Sequence, residues 1–280
     1  MNISKNIHTF IGCDSDYAES RIAIFGAPFD STTSYRPGAR FASSAMRNES
    51  YGIETYSPYQ DKDLLDAEIF DCGDLELCFG SPESALNDIE KMTENIISDG
   101  KLPIMIGGEH LVTLGAVRAA VKKYPDLRIV HFDAHADLRD DYLGQKLSHA
   151  CVMRRCHELL GDGKIFQFGI RSGDREEFLW GREHVYTNRF DFSGIERIKE
   201  KTGDRPVYFT LDLDVLDPSC FCGTGTPEAG GVSYNELIKA IEKVSELNVI
   251  GLDINELSPT LDQSCLLYTS PSPRDKRQSR

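Results

Sequence analysis

Short apolar runs at 21–26, 68–74, 102–108, 127–133, 164–169, 206–212 and 249–254 recur along the chain, most of them closed by glycine or aspartate. Runs of this length without polar alternation are strands buried on both faces. Amphipathic segments lie between them. Ser81 and Pro82 open one, where Leu86, Ile89, Met92, Ile96 and Ile97 recur at helical spacing before Gly100. Further helices are expected over 111–123, 149–160, 174–182 and 193–201. Ser233 to Glu236 forms a capping box ahead of Leu237, Ala240, Ile241 and Val244. Doubly buried strands alternating with helices predict an α/β fold whose mostly parallel sheet is covered on both faces. Function in such a sheet gathers at the carboxyl ends of the strands.

No repeat or composition break interrupts residues 1–264, so a single domain is expected there. No apolar run reaches membrane-spanning length. The polar N-terminus lacks a signal-peptide core, and a cytoplasmic protein is expected. The chain of 280 residues carries a net charge of −14. Such a surface repels nucleic acid and anionic membranes, and suits a small cation or bound metal ions. The eight cysteines are scattered, with Cys220 and Cys222 the nearest pair, and read as reduced thiols.

Residues 265–280 break the pattern. They show neither helix nor strand period and resemble a sequencing adapter translated in frame, so a non-native tail is expected behind a domain cut short after Ser264. The tail holds four bases and one acid, which leaves residues 1–264 at −17.

Chemistry-bearing residues cluster at three strand exits. Gly107-Gly108-Glu109-His110 follows the run at 102–106, and its glycines are expected to let the backbone turn sharply. His131 to Asp137 lies at the exit of the next run, with Asp133, His135 and Asp137 alternating so that an extended chain aims them one way. His131 precedes them and is expected to be structural or supporting. The third exit is Thr210 to Pro218, where Asp212 and Asp214 share a face and Asp217 reads as a turn residue. His110, Asp133, His135, Asp137, Asp212 and Asp214 thus offer two imidazoles and four carboxylates. Converging carboxylates are costly without a shared cation. Six ligands exceed what one catalytic ion needs, so two divalent ions sharing bridging carboxylates are expected. The oxygen-rich set favours Mn²⁺ over Zn²⁺.

The stretches G-G-E-H (107–110), F-D-A-H-A-D (132–137), S-H-A (148–150) and L-D-L-D-V-L-D-P (211–218) resemble, in order, those of the ureohydrolase family, which includes arginases and agmatinases. The likeness runs over residues 21–264. It implies a three-layer α/β/α sandwich, the arginase-like fold, with two Mn²⁺ per chain. One ion would take His110, Asp133, Asp137 and Asp212, and the other His135, Asp133, Asp212 and Asp214. The stretches G-A-P-F-D (26–30) and Y-R-P-G-A-R-F (35–41) look most like agmatinases. So does the stretch after the metal motif, Leu138-Arg139-Asp140-Asp141, whose acids suit a cationic substrate tail. Arg139 is expected to pair with Asp140 or Asp141, or to meet a carboxylate.

The resemblance therefore implies hydrolysis of agmatine to putrescine and urea by a metal-activated hydroxide, with a homo-oligomer expected. Asp137 would relay a proton to the leaving amine, His149 would shuttle protons, and Glu256 would grip the planar guanidinium. Alternatives are hydrolysis of arginine, guanidinobutyrate or formiminoglutamate, a one-metal deacetylase-like hydrolase, and a non-catalytic polyamine-binding protein. In the loop 220–231, the glycines are expected to permit close approach to a ligand, and Glu228 is a candidate pocket residue.

Overall fold

The structure is a computed structural model, and it describes residues 8–262. The tail read at 265–280, and the point where it would replace native chain, lie outside the described residues.

The described residues form ten strands in chain order: β1 (Ile22–Gly26), β2 (Tyr56–Ser57), β3 (Lys62–Asp63), β4 (Ile69–Asp74), β5 (Leu102–Ile106), β6 (Arg128–Phe132), β7 (Ile165–Ile170), β8 (Tyr186–Arg189), β9 (Val207–Asp212) and β10 (Val249–Asn255). Eight of them build one sheet in the order β4-β1-β5-β10-β9-β6-β7-β8. Every pairing in it is parallel. The helices are α1 (Ala42–Ser50), α2 (Pro82–Ser98), α3 (Thr113–Lys123), α4 (Val152–Leu160), α5 (Arg175–His184), α6 (Ile198–Thr202) and α7 (Tyr234–Ser245).

Alternate strand residues divide the core in two. Phe25, Met105 and Ile129 face one layer with Leu86, Ile89, Val117 and Met153, from α2, α3 and α4. Phe132, Phe209 and Leu211 face the other with Ala42, Ile198, Leu237, Ala240 and Val244, from α1, α6 and α7. This is the expected three-layer α/β/α sandwich. Gly115 lets α3 close on α2, because a Cβ there would lie 2.8 Å from Ile89 Cγ2.

The helix starts follow the sequence chemistry. Ser81 Oγ accepts the backbone N–H of Ser84, with Pro82 at the first turn. Asp174 with Glu177, and Ser233 with Glu236, form complete capping boxes. Helix α3 starts two residues later than expected, because His110–Val112 form a 3₁₀ turn first.

Four elements lacked a sequence signal. Edge strand β8 is polar, so no apolar run marks it. Strands β2 and β3 are two residues each. Helix α1 (ASSAMRNES) is too polar to show an apolar stripe. It is anchored by Arg47, which is buried against Asp71 and Asp74.

Candidate metal centre

Gly107 and Gly108 follow β5. Neither adopts a positive φ, so a tight turn is not their reason. A Cβ on Gly108 would sit 1.9 Å from the Phe29 carbonyl oxygen, and one on Gly107 would sit 1.8 Å from Asn255 Oδ1. Any side chain would push apart β5, β10 and the chain after β1, and with them His110.

His110 is fixed from three directions. Its backbone N–H donates to Glu256 Oε1 at 2.8 Å. Its Nε2 lies 2.9 Å from Thr210 Oγ1, which leaves Nδ1 to face the strand exits. There Nδ1 lies 2.9 Å from Asp133 Oδ2, 3.2 Å from Asp212 Oδ2 and 3.3 Å from Asp137 Oδ2. It is buried and has no hydrogen-bond partner among the described residues. One nitrogen facing three carboxylates without a bond to any is the geometry of a ligand set converging on a cation.

A second group adjoins it. His135 Nδ1 lies 2.9 Å from Asp214 Oδ2 and 3.5 Å from Asp133 Oδ1. Asp212 Oδ1 accepts the backbone N–H of Asp214 at 2.9 Å, which places both carboxylates at the exit of β9. All six sequence-derived residues therefore meet over the carboxyl ends of β5, β6 and β9. The chain leaves β6 at Phe132, so Asp137 is brought in by a left-handed φ of 53° and not by strand alternation. A non-glycine residue there costs about 1–3 kcal/mol, a strain that clusters at functional sites.

His131 takes the supporting role expected of it, and it shares Asp133's parity. Thr187 Oγ1 donates to Gln167 Oε1 at 2.9 Å. The amide of Gln167 then lies 3.1 Å from His131 Nδ1 and 2.8 Å from the Ala136 carbonyl. That amide can only donate, so His131 carries its proton on Nε2 and gives it to Asp133 Oδ2 at 2.8 Å. Burial holds the His131 pKa below the ordinary imidazole range, which keeps it a neutral donor.

The electrostatics calls for positive charge. Burial and neighbouring Asp214 and Asp133 push Asp212 well above the carboxylate range. Burial and Asp133 push Asp137 up to about 7. Burial resists the charged form of His110, but Asp133, Asp137 and Asp212 outweigh it and hold His110 well above its usual value. The protein alone thus favours protons where a divalent cation would stabilise the ionised acids.

The cluster forms the floor of a cleft of about 270 Å³, whose walls include Ser34, Arg139, His149, Asp174, Glu177 and Glu256. Glu256 has a left-handed φ of 64°. His149 Nε2 lies 3.2 Å from Ser34 Oγ, and its backbone N–H donates to Thr32 Oγ1. Burial and then His135 push its imidazole down to about 4, so it is neutral at pH 7.

Arg139 departs from expectation. It pairs with Glu177 at 3.2 Å and Asp174 at 3.7 Å, and lies over the Tyr142 ring. Asp140 is taken by Arg155 at 2.7 Å, and Asp141 accepts the Gly144 N–H. Helix α5 brings Glu177 and Asp174 to the cleft, a contact between distant segments that local spacing does not reveal. In the loop 220–231, Gly225 lies against the Arg36 carbonyl, so its closeness serves the chain itself. Glu228 Oε1 lies 3.7 Å from His135 Nε2 and accepts from Ser172 Oγ. Asp217 is the turn residue expected, accepting N–H groups from Ser219, Gly230 and Gly231.

Glu109 was given no role by sequence reasoning. It is buried and accepts the Thr32 N–H at 2.9 Å, with further bonds from the Thr32 and Thr33 hydroxyls. It thereby fixes the loop that holds Ser34 and Thr32 against His149. Its one sequence signal was an acid inside a run of glycine and apolar residues. Gln167 and Thr210 gave less. Thr210 stands two residues before Asp212, hence on the same strand face.

An all-parallel sheet that gathers imidazoles and carboxylates at its strand exits is the architecture of a metal-assisted hydrolase. Residues 20–267 match the family model described as Arginase family, and the chain belongs to that family. It is 46% identical over 261 residues to an agmatinase of Bacillus subtilis (strain 168), covering 91% of this chain and 89% of that protein. A solved Clostridium difficile protein is similar in structure, with a TM-score of 0.86 at 48% identity, covering 91% of this chain and 99% of that one. The agmatine ureohydrolase of Thermoplasma volcanium gives 0.84 at 38%, over 92% and 88%.

Proposed function

We propose that this chain hydrolyses agmatine to putrescine and urea, with two Mn²⁺ held by His110, Asp133, Asp137 and Asp212 on one side and His135, Asp133, Asp212 and Asp214 on the other. The observation that carries the reading is His110 Nδ1, buried and unbonded before three carboxylates. Bound ions of this kind supply a water deprotonated near neutral pH and a Lewis acid beside the substrate.

The remaining steps belong to the chain. Glu256 binds the guanidinium. Its Oε1 is committed to the His110 N–H, which fixes the carboxylate plane and leaves Oε2 for a planar N–H donor. Guanidinium is resonance-stabilised, so reaction depends on holding its carbon in attack geometry. Asp137, on the cleft wall beside the reacting centre, is placed to relay a proton to the departing amine. His149 lies 3.2 Å from Ser34 Oγ, a contact through which its imidazole would shuttle protons between the cleft and solvent.

The mouth of the cleft selects the tail. Glu177 and Asp174 already engage Arg139. A substrate carboxylate would compete with both acids for that guanidinium, whereas an ammonium group meets their surplus charge. This favours agmatine over arginine and guanidinobutyrate. Soluble cytoplasmic chemistry suits the reading, and no helix among the described residues is long and apolar enough to cross a membrane.

The test is metal and turnover together. The wild-type protein should hold two Mn²⁺ per chain and release urea from agmatine. Asp133→Asn should keep its fold by circular dichroism and lose both ions and activity. An Asp133→Asn protein that retains full metal content and turnover would overturn the ligand assignment.

A further inference from the structure

A second constellation of metal-ligating side chains lies at the opposite edge of the sheet. Asp162 sits in the turn between α4 and β7, just before the amino end of β7. His157 comes from the last turn of α4, and His184 ends α5 just before β8. Three separate segments thus meet at one point. His157 Nε2 lies 2.8 Å from Asp162 Oδ1, and His184 Nδ1 lies 2.6 Å from the same oxygen. The backbone is pinned around them. Gly161 and Gly163 adopt φ of 86° and 68° on either side of Asp162, and the Gly163 N–H donates to the His184 carbonyl at 2.8 Å.

The rings are held as firmly as the chain. His184 stacks on Trp180 at 4.2 Å, and His157 meets the same indole edge-on at 4.7 Å. Arg154 lies 3.8 Å above Trp180 and fixes it in turn. The imidazoles are largely covered, at 15% and 27% exposure, whereas the Asp162 side chain is 67% exposed. Two preset nitrogens therefore meet a carboxylate that opens onto solvent, where water can complete a coordination sphere.

We infer that His157, Asp162 and His184 form a second metal site, taking one divalent transition ion of the zinc class. Two imidazoles and one carboxylate are the donor set that zinc, cobalt and nickel prefer over manganese. Ligand bonds of about 2.0–2.2 Å at tetrahedral angles separate neighbouring donor atoms by about 3.4 Å. All three donor atoms already lie within 4.8 Å of one another. A retreat of the exposed carboxylate by roughly 0.6–0.8 Å from each imidazole nitrogen brings the donors to that spacing. The bound ion would clamp the ends of α4 and α5 to one turn, at a distance from the chemistry at the carboxyl ends. This inference uses none of the residues of the proposed active site, and either can fail alone.

Trp180 is the chain's single tryptophan, which makes the site directly readable. Mn²⁺-loaded protein is titrated with Co²⁺, with indole emission excited away from tyrosine absorbance. Stoichiometric quenching that saturates at micromolar Co²⁺ is expected, blocked by prior addition of Zn²⁺. Metal analysis after desalting should find one zinc per chain besides the manganese. Asp162→Asn, which is isosteric, should lose the quenching, as should His184→Ala, while urea release stays at the wild-type rate. No quenching, quenching that saturates only at millimolar ion, or equal quenching in Asp162→Asn would overturn the assignment.

Discussion

Gln167→Glu changes one atom type and should weaken the metal centre from behind. In the wild type, Gln167 gives its amide protons to His131 Nδ1 and the Ala136 carbonyl. A glutamate there has no N–H to give. It would draw the His131 proton onto Nδ1, turning Nε2 into a lone pair against Asp133 Oδ2, now 2.8 Å away as an acceptor. The Ala136 carbonyl would lose its donor as well. Losing the partner that orients a metal ligand typically costs about 10–100-fold in metal affinity, or about 1.4–2.7 kcal/mol. An unsatisfied buried acceptor adds about 1–3 kcal/mol to the loss of stability. Chelator competition should therefore show Mn²⁺ dissociation constants raised by about one to two orders of magnitude. Urea release should recover at high Mn²⁺, because no proposed ligand is missing. Wild-type Mn²⁺ affinity in a folded Gln167→Glu protein would refute the chain from Thr187 to Asp133.

The other predictions probe neighbouring parts. Gly108→Ala would place a methyl group 1.9 Å from the Phe29 carbonyl, so it should destabilise by several kcal/mol and lower soluble yield; an unchanged melting temperature would contradict the close approach. Glu256→Gln should raise KM for agmatine by about tenfold or more, since a charge-assisted guanidinium contact is lost, with Mn²⁺ content unchanged. His149 has a folded pKa of about 4 against an ordinary 6.5, so the unfolded chain binds its proton first. Stability from this group is present above pH 6.5 and is lost as pH falls toward 4. Denaturant melts at pH 7 and pH 5 should therefore show a drop in the wild type that His149→Gln reduces by about 2 kcal/mol. Equal drops in both proteins would remove the buried neutral imidazole from the account.

Most of the architecture was legible because burial on both faces erases polar alternation. Strands β1, β5, β6, β7 and β9 read as plain apolar runs for that reason. Edge strand β8 and helix α1 were not legible, since neither buries a continuous apolar face. The six predicted ligands share an equally local signature, carboxylates and imidazoles at the exits of buried strands, and the structure brings all six together. The supports of the site are long-range. Gln167 reaches His131 from another strand, and Glu177 reaches Arg139 from α5. Their partners lie tens of residues away, so neighbouring Asp140 and Asp141 looked like the natural partners of Arg139 and were not.

Loaded with Mn²⁺, the His/Asp cluster should turn over a guanidino substrate with a cationic tail. Urea release should be measured on Mn²⁺-loaded protein at equal concentrations of agmatine, arginine and guanidinobutyrate. Fast release from agmatine, little from the two carboxylate-bearing substrates, and none after the metal is chelated away are the expected results. Faster release from arginine or guanidinobutyrate, or release that survives chelation, would contradict them.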